Sequence, residues 1–257
     1  MRKTYCLLTV ICLIIAIGTF GCSKPQEDKD VLFQTSTFDA LLKGVYDGNM
    51  TFKELKKYGD FGIGTFNGLD GEMVEVAGKF YQIKADGVAY PIDNSMKTPF
   101  SVVTFFEANE FVLSGNVSDY KQLGQYLDSL LPTENIFYAV KIEGVFDYIK
   151  TRSVPKQSKP YPPLTEAVKG QSTFELHDVA GTIVGFRCPF YAEGINVPGY
   201  HFHFITTDGK AGGHLLECQM HDVRIEIDNT SEFHMILPKN DEFYSVGSAE
   251  GRQTGVE

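Results

Sequence analysis

The chain has no basic cluster and no run of like charge. Its 257 residues carry 23 Lys and Arg against 33 Asp and Glu, a net charge of −10. An acidic surface without a cationic stripe argues against nucleic acid and against electrostatic membrane binding. A dinucleotide fingerprint and a phosphate loop are both missing, so no nucleotide cofactor is expected. There is no internal repeat and no low-complexity tract. Cysteine is nearly absent from the body of the chain. Of five, Cys6, Cys12 and Cys22 belong to the N-terminal leader, and only Cys188 and Cys218 remain. The pair could bond in an oxidising compartment, but two buried free thiols are favoured.

What is present begins with an export signal. Arg2 and Lys3 precede an apolar stretch over 5–17, and Gly18-Thr-Phe-Gly21 leads to Cys22-Ser23. The stretch is too short for a comfortable membrane span and reads as a signal peptide over 1–21. Gly followed by Cys-Ser suggests a bacterial lipoprotein, with Cys22 the lipidated first residue. Plain cleavage to a periplasmic or secreted protein is the alternative. Removing the leader takes away Arg2 and Lys3 and no acid, so the mature chain is more acidic still. Residues 22–30 are polar and aperiodic, a tether. The folded part is expected over 31–257, as one domain of two packed lobes.

Three of the six histidines, His201, His203 and His214, fall in Gly199-Tyr-His-Phe-His-Phe204 and its return. Strand side chains alternate faces, so His201 and His203 share one. Asp208-Gly209 and Gly212-Gly213 mark a hairpin loop. A hairpin centred there sets His214 opposite His203, and directly paired residues lie roughly 5 Å apart at Cβ. A lone strand histidine is usually a hydrogen-bonded or surface residue, but three converging imidazoles make a metal tripod. Imidazole suits zinc, copper, iron or nickel, and three protein ligands leave a position open for chemistry. His177, His221 and His234 share no face with the tripod and read as structural or exposed.

The rest predicts an α+β chain dominated by antiparallel sheet. Helical spacing covers 38–46 after Thr37 or Ser36, and Thr51-Phe-Lys-Glu54 is a capping box. Short strands follow over 61–66, 73–76, 80–84, 88–91, 101–106 and 110–113. Ser118 is the expected cap of an amphipathic helix over 120–131. Strands are expected over 136–143, 145–149, 173–176, 181–187, 200–206, 214–228 and 232–237. The Pro-rich run over 152–164 is the candidate boundary between lobes of about 31–155 and 156–257. The metal hairpin would then lie in the C-terminal lobe. Glu72 follows the tight Gly68-Leu-Asp-Gly71 turn, and Arg152 opens the Pro-rich segment just past the strand that ends at Lys150. Alone, each would be an ordinary surface charge. Near a metal, the first could be a further ligand or carry a proton, and the second could clamp a carboxylate.

Taken together these segments resemble the acetolactate decarboxylase family. The similarity rests on Gly62-Ile-Gly-Thr-Phe66, Leu69-Asp-Gly-Glu72, Phe80-Tyr-Gln-Ile-Lys-Ala-Asp-Gly87 and Thr151-Arg-Ser-Val-Pro-Lys-Gln157 with Pro160-Tyr161. It continues through Gly181-Thr-Ile-Val-Gly-Phe186 and Asn196-Val-Pro-Gly-Tyr-His-Phe-His-Phe204 to Gly212-Gly-His214. It covers essentially the whole mature chain. The resemblance implies a zinc enzyme that converts (S)-2-acetolactate to (R)-acetoin and CO2, the metal acting as a Lewis acid that stabilises an enediolate. It implies one metal per chain on His201, His203 and His214, with Glu72 at the metal and Arg152 on the substrate. A glutamate from the C-terminal tail is also implied. Glu257 is the match and Glu250 the fallback; if Glu257 is the chain's last residue, its own α-carboxylate departs from the pattern. The substrate class is a small 2-hydroxy-3-keto acid.

Two other readings share the tripod. A cupin-like oxygenase or isomerase also uses His-x-His, but the glutamate expected soon after the second histidine is missing from Ile205-Thr-Thr-Asp-Gly. An exported, lipid-anchored metal-binding protein would explain the tripod and the leader but not the matches at Glu72 and Arg152. An exposed edge strand would allow a homodimer, though nothing in the sequence compels one.

Overall fold

The structure is a computed structural model and describes residues 30–247. In chain order its strands are β1 (Val31–Thr35), β2 (Met50–Thr51), β3 (Phe61–Thr65), β4 (Glu72–Val76), β5 (Lys79–Ile83), β6 (Ala89–Pro91), β7 (Lys97–Thr98) and β8 (Ser101–Thr104). They continue with β9 (Glu110–Leu113), β10 (Phe137–Ser153), β11 (Ser172–Cys188), β12 (Gly199–Thr206), β13 (Gly212–Met220), β14 (Arg224–Thr230) and β15 (Glu232–Ile236). The helices are α1 (Phe38–Leu42), α2 (Phe52–Leu55), α3 (Tyr120–Leu130), α4 (Leu164–Ala167) and α5 (Asp241–Ser245). The α+β class dominated by sheet is borne out, and no described helix is long and apolar enough to cross a membrane.

One sheet has seven strands in the order β15-β1-β8-β3-β4-β5-β6, and the other six in the order β11-β12-β13-β10-β14-β9. In the second, β11 also pairs with β10, so β10, β11, β12 and β13 close on one another. The sheets do not part at the Pro-rich segment. Strands β9 and β10 precede it yet lie in the second sheet, and β15 follows it yet joins the first beside β1. Hydrophobic faces chose these partners: Phe61, Ile63 and Val74 of the first sheet share a core with Ala139, Val184 and Phe186 of the second. A separate cluster packs Leu123 and Leu127 of α3 onto Tyr138, Ile183 and Phe202. A third lies on the far face of the first sheet, where Phe52 and Leu55 cover Met73 and Phe80.

Where local signals were strong the elements match. Thr51 and Glu54 form the capping box of α2, and Thr37 caps α1. Elsewhere the structure corrects the reading. Asp119, not Ser118, caps α3, accepting from the Gln122 backbone N–H at 2.7 Å, while Ser118 is held by the Gln122 side chain. The strands expected on either side of Gly144 are one strand, β10, and those over 173–187 are likewise one. Gly144 does not interrupt β10 because it is a site of close packing. A Cβ there would stand 2.7 Å from a Val223 methyl. The expected strand over 214–228 is two, broken after Met220. Cys188 and Cys218 are free and buried, as favoured.

Asp228 of β14 is buried, and its Oδ2 accepts from the Glu107 N–H at 3.1 Å. Burial lifts its carboxyl from 3.8 to about 7; nearby Asp30, Glu107 and Asp60 push the same way, against the Glu107 hydrogen bond. The folded chain therefore holds this proton more tightly than the unfolded one. Its contribution is whole below the ordinary aspartate range and is lost as pH rises through about 7. Asp228→Asn should thus raise the melting temperature most at pH ~8.5, less at pH ~5, and leave it unchanged only below the ordinary aspartate value, at pH ~3. Equal shifts at all these pH values would show that Asp228 is not the group responsible.

Candidate metal centre

The hairpin forms in the expected register: His203 faces His214 across β12 and β13. The ligand nitrogens of His201, His203 and His214 all lie within 4.8 Å of one another, with His201 Nε2 and His214 Nδ1 3.1 Å apart. Among the described residues this is the group of His, Cys, Asp and Glu side chains able to hold a metal. Burial and the positive charge of Arg152 bring His201 down to about 4. Burial also holds His203 and His214 well below the usual imidazole value. The rings are neutral, which is the ligating form.

A backbone group orients the central ring. His203 Nδ1 lies 2.8 Å from the Met73 carbonyl oxygen. A carbonyl only accepts, so Nδ1 carries the proton and Nε2 is left with its lone pair for a metal. The donor set therefore fits one divalent ion, and its all-nitrogen chemistry favours a borderline metal over magnesium or calcium.

The two sheets contribute different parts. Glu72 opens β4 in the first sheet, and Arg152 lies near the end of β10 in the second, paired with His214. Their side chains meet over the tripod. Arg152 Nη1 is 3.6 Å from Glu72 Oε1, and His203 Nε2 is 3.6 Å from Glu72 Oε2. Burial lifts the Glu72 carboxyl from 4.5 to about 6, and Arg152 holds it from rising further. Gly71 makes the turn into Glu72 at φ 87, where a Cβ would stand 2.2 Å from the Ile83 carbonyl. The Asp-Gly-Glu spacing is a steric requirement as well as a turn signal.

Gly213 is the second glycine the site needs. Its φ is 137, and a Cβ would stand 2.5 Å from the Arg152 carbonyl oxygen. It lets β13 approach β10 where Arg152 and His214 face each other. Gly213→Ala should destabilise the fold by about 1–3 kcal/mol and weaken metal retention with it. Thermal melting and bound metal per chain would check this; wild-type values for both would refute it.

These groups line a cavity of about 240 Å³. Phe38, Leu41, Leu69, Phe100, Leu164 and Val197 form its apolar wall. The volume suits a small organic acid held by a few convergent polar groups. The other histidines stand apart: His221 pairs with Asp147 at 2.8 Å, His177 packs on Tyr148, and His234 packs on Phe33 and Tyr58. Sequence reasoning missed Met73, whose contribution is a carbonyl. It also missed Tyr120 and Tyr200, which line the cavity but read as ordinary aromatic residues of a helix and a strand. Cys22, Glu250 and Glu257 lie outside the described residues. The described chain ends at Gly247, whose carbonyl accepts from Lys43 Nζ just after α1, the helix that supplies Phe38 and Leu41.

Comparison with known proteins gives a consistent result. The profile of the family described as "Alpha-acetolactate decarboxylase" matches residues 32–247. A protein of that name from Methanosarcina mazei is 51% identical over 228 residues, covering 89% of this chain and 79% of its own. One from Bacillus subtilis is 42% identical over 226 residues, covering 87% and 89%. The crystal structure of alpha-acetolactate decarboxylase from Bacillus subtilis strain 168 superposes with a TM-score of 0.82 at 41% identity, covering 84% of this chain and 93% of that one. A Staphylococcus aureus structure, described as a protein of unknown function similar to the same enzyme, gives a TM-score of 0.81 at 31% identity.

Proposed function

Because the chain belongs to the alpha-acetolactate decarboxylase family, we propose that this cavity converts (S)-2-acetolactate to (R)-acetoin and CO2 with one zinc ion on His201, His203 and His214. The observation that carries the proposal is the meeting of the neutral tripod, Glu72 and Arg152 on one small cavity. The substrate has a ketone beside the carbon that bears the carboxylate. When the C–COO⁻ bond breaks, the electron pair is delocalised toward that ketone, and a proton on the carbon completes acetoin. When bound, the ion would supply Lewis-acid stabilisation of that charge.

The chain's own residues do the rest. Arg152 offers two parallel N–H donors to the substrate carboxylate and fixes which face of the carbon is presented. Glu72, lifted to about 6, changes protonation near neutrality and can deliver the proton. The apolar wall receives the methyl groups and excludes water. The tail glutamate, Glu257 or Glu250, is proposed as a further carboxylate at the site. The leader is proposed to export the enzyme and to leave it lipid-anchored through Cys22. The mass of the mature N-terminus tests this, since an unmodified Cys22 would remove the anchor.

The direct experiment is to purify residues 23–257, measure bound metal, and follow acetoin and CO2 from racemic acetolactate. Stoichiometric zinc with turnover of one enantiomer is expected. Zinc without turnover would indicate a binding role or another substrate. Folded protein that takes up no metal would end the tripod reading.

A further inference from the structure

The three histidines are not held alike. His203 is paired on both sides, with Val184 of β11 and His214 of β13, and its ring is fixed by the Met73 carbonyl. His214 is paired with both His203 and Arg152. His201 has neither advantage. The β12–β13 ladder stops at His203, so among the described residues Tyr200 and His201 pair with β11 alone. The His201 Nδ1 is buried and has no hydrogen-bond partner among the described residues. Ligating histidines are usually oriented through their second nitrogen; among the described residues, what orients this one is the main chain and packing.

Helix α3 supplies what the missing strand would have given. A Cβ on Gly185 would stand 2.1 Å from the His201 carbonyl, so that carbonyl faces β11. Successive carbonyls of a strand point opposite ways, so the Tyr200 carbonyl faces the open side. There it accepts from the Tyr120 hydroxyl at 3.1 Å. The Tyr120 ring also meets Phe202 edge-on, with centroids 6.1 Å apart, so one side chain touches the residues on both sides of His201. Tyr120 is itself anchored: its backbone N–H donates to Glu217 of β13, the strand that carries His214. Further along α3, Asp128 accepts from the Tyr200 hydroxyl at 2.9 Å and from Arg187 Nε at 3.3 Å. Arg187 is the strand partner of Tyr200.

We propose that Tyr120 is a positioning residue for the metal site: its hydroxyl closes the open edge of β12 at Tyr200 and so fixes His201 toward the other two histidines. The proposal rests on the metal reading given above. It assigns Tyr120 no contact with the reacting atoms. The aspartate contact to the Tyr200 hydroxyl is more exposed and plays a smaller part.

The test uses Tyr120→Phe, which keeps the ring on Phe202 and removes the hydroxyl, in the chain over residues 23–257. Zinc affinity by chelator competition should fall by about tenfold or more. The visible spectrum of the cobalt-substituted protein should change, because a ligand has shifted. The metal-free protein should melt within about 2–4 °C of wild type. Tyr200→Phe, which keeps the carbonyl acceptor, should retain the wild-type cobalt spectrum. Unchanged affinity and spectrum in Tyr120→Phe would overturn the proposal. So would a lower melting temperature with an unchanged spectrum, since that is all a merely structural hydroxyl would give. Wild-type protein that binds neither zinc nor cobalt would instead overturn the metal reading, and this proposal with it.

Discussion

Replacing His203 by alanine is expected to strip the site of its metal and to lower acetoin formation by about 10³-fold or more, the several kcal/mol a Lewis acid supplies. His203 is the most buried member of the tripod and the one whose tautomer is set, by the Met73 carbonyl at 2.8 Å. Its removal takes away a ligand and leaves that carbonyl without its donor, at a cost of about 1–3 kcal/mol. The metal-free variant should therefore melt below the metal-free wild type. Zinc added back should restore activity to metal-stripped wild type and not to His203→Ala. Equal recovery in both would mean that the imidazole is not a ligand.

Arg152→Ala is expected to cost about 10²-fold or more in kcat/KM through lost substrate orientation. Arg152→Lys should recover only part of this, because an ammonium is a point charge and cannot replace two parallel donors. A second consequence is local. Arg152 opposes the burial that lifts Glu72 to about 6. Without the guanidinium the carboxyl has only burial acting on it, and its midpoint must move higher still. Infrared titration of the carboxyl band in the metal-free proteins would show this, with Glu72→Gln identifying the band. A midpoint that stays near that of wild type would separate Arg152 from Glu72.

Much of the site was legible because its cues are local. The Gly-rich turn between His203 and His214 set the hairpin register, and the register set the tripod. Thr51 and Glu54 announced α2, and Gly71 announced the turn that presents Glu72. The missing parts depend on distant chain segments. Gly144 looked like a break and is a packing contact with Val223. The Pro-rich run looked like a boundary, yet strands before and after it share one sheet, because hydrophobic faces pair without regard to chain order. Ser118 and Asp119 are both good caps, and only geometry chooses between them. Tyr120 reads as one more apolar position of an amphipathic helix. Its hydroxyl gains meaning only beside Tyr200, 80 positions away.

Met73 has one further consequence. Its side chain is fully buried in the cluster beneath α2, on the far face of the sheet, while its carbonyl serves His203. The ring reads the path of the main chain and is indifferent to which amino acid lies there. Position 73 is thus free to drift among residues that fill the far pocket, so Met73→Leu should be silent at the metal. An essential contact of this kind leaves no letter in a sequence by which descent could be traced, and it sets no target for a side-chain mutagenesis screen. Only a change in the bond itself, such as an ester in place of the amide that follows residue 73, would reach it.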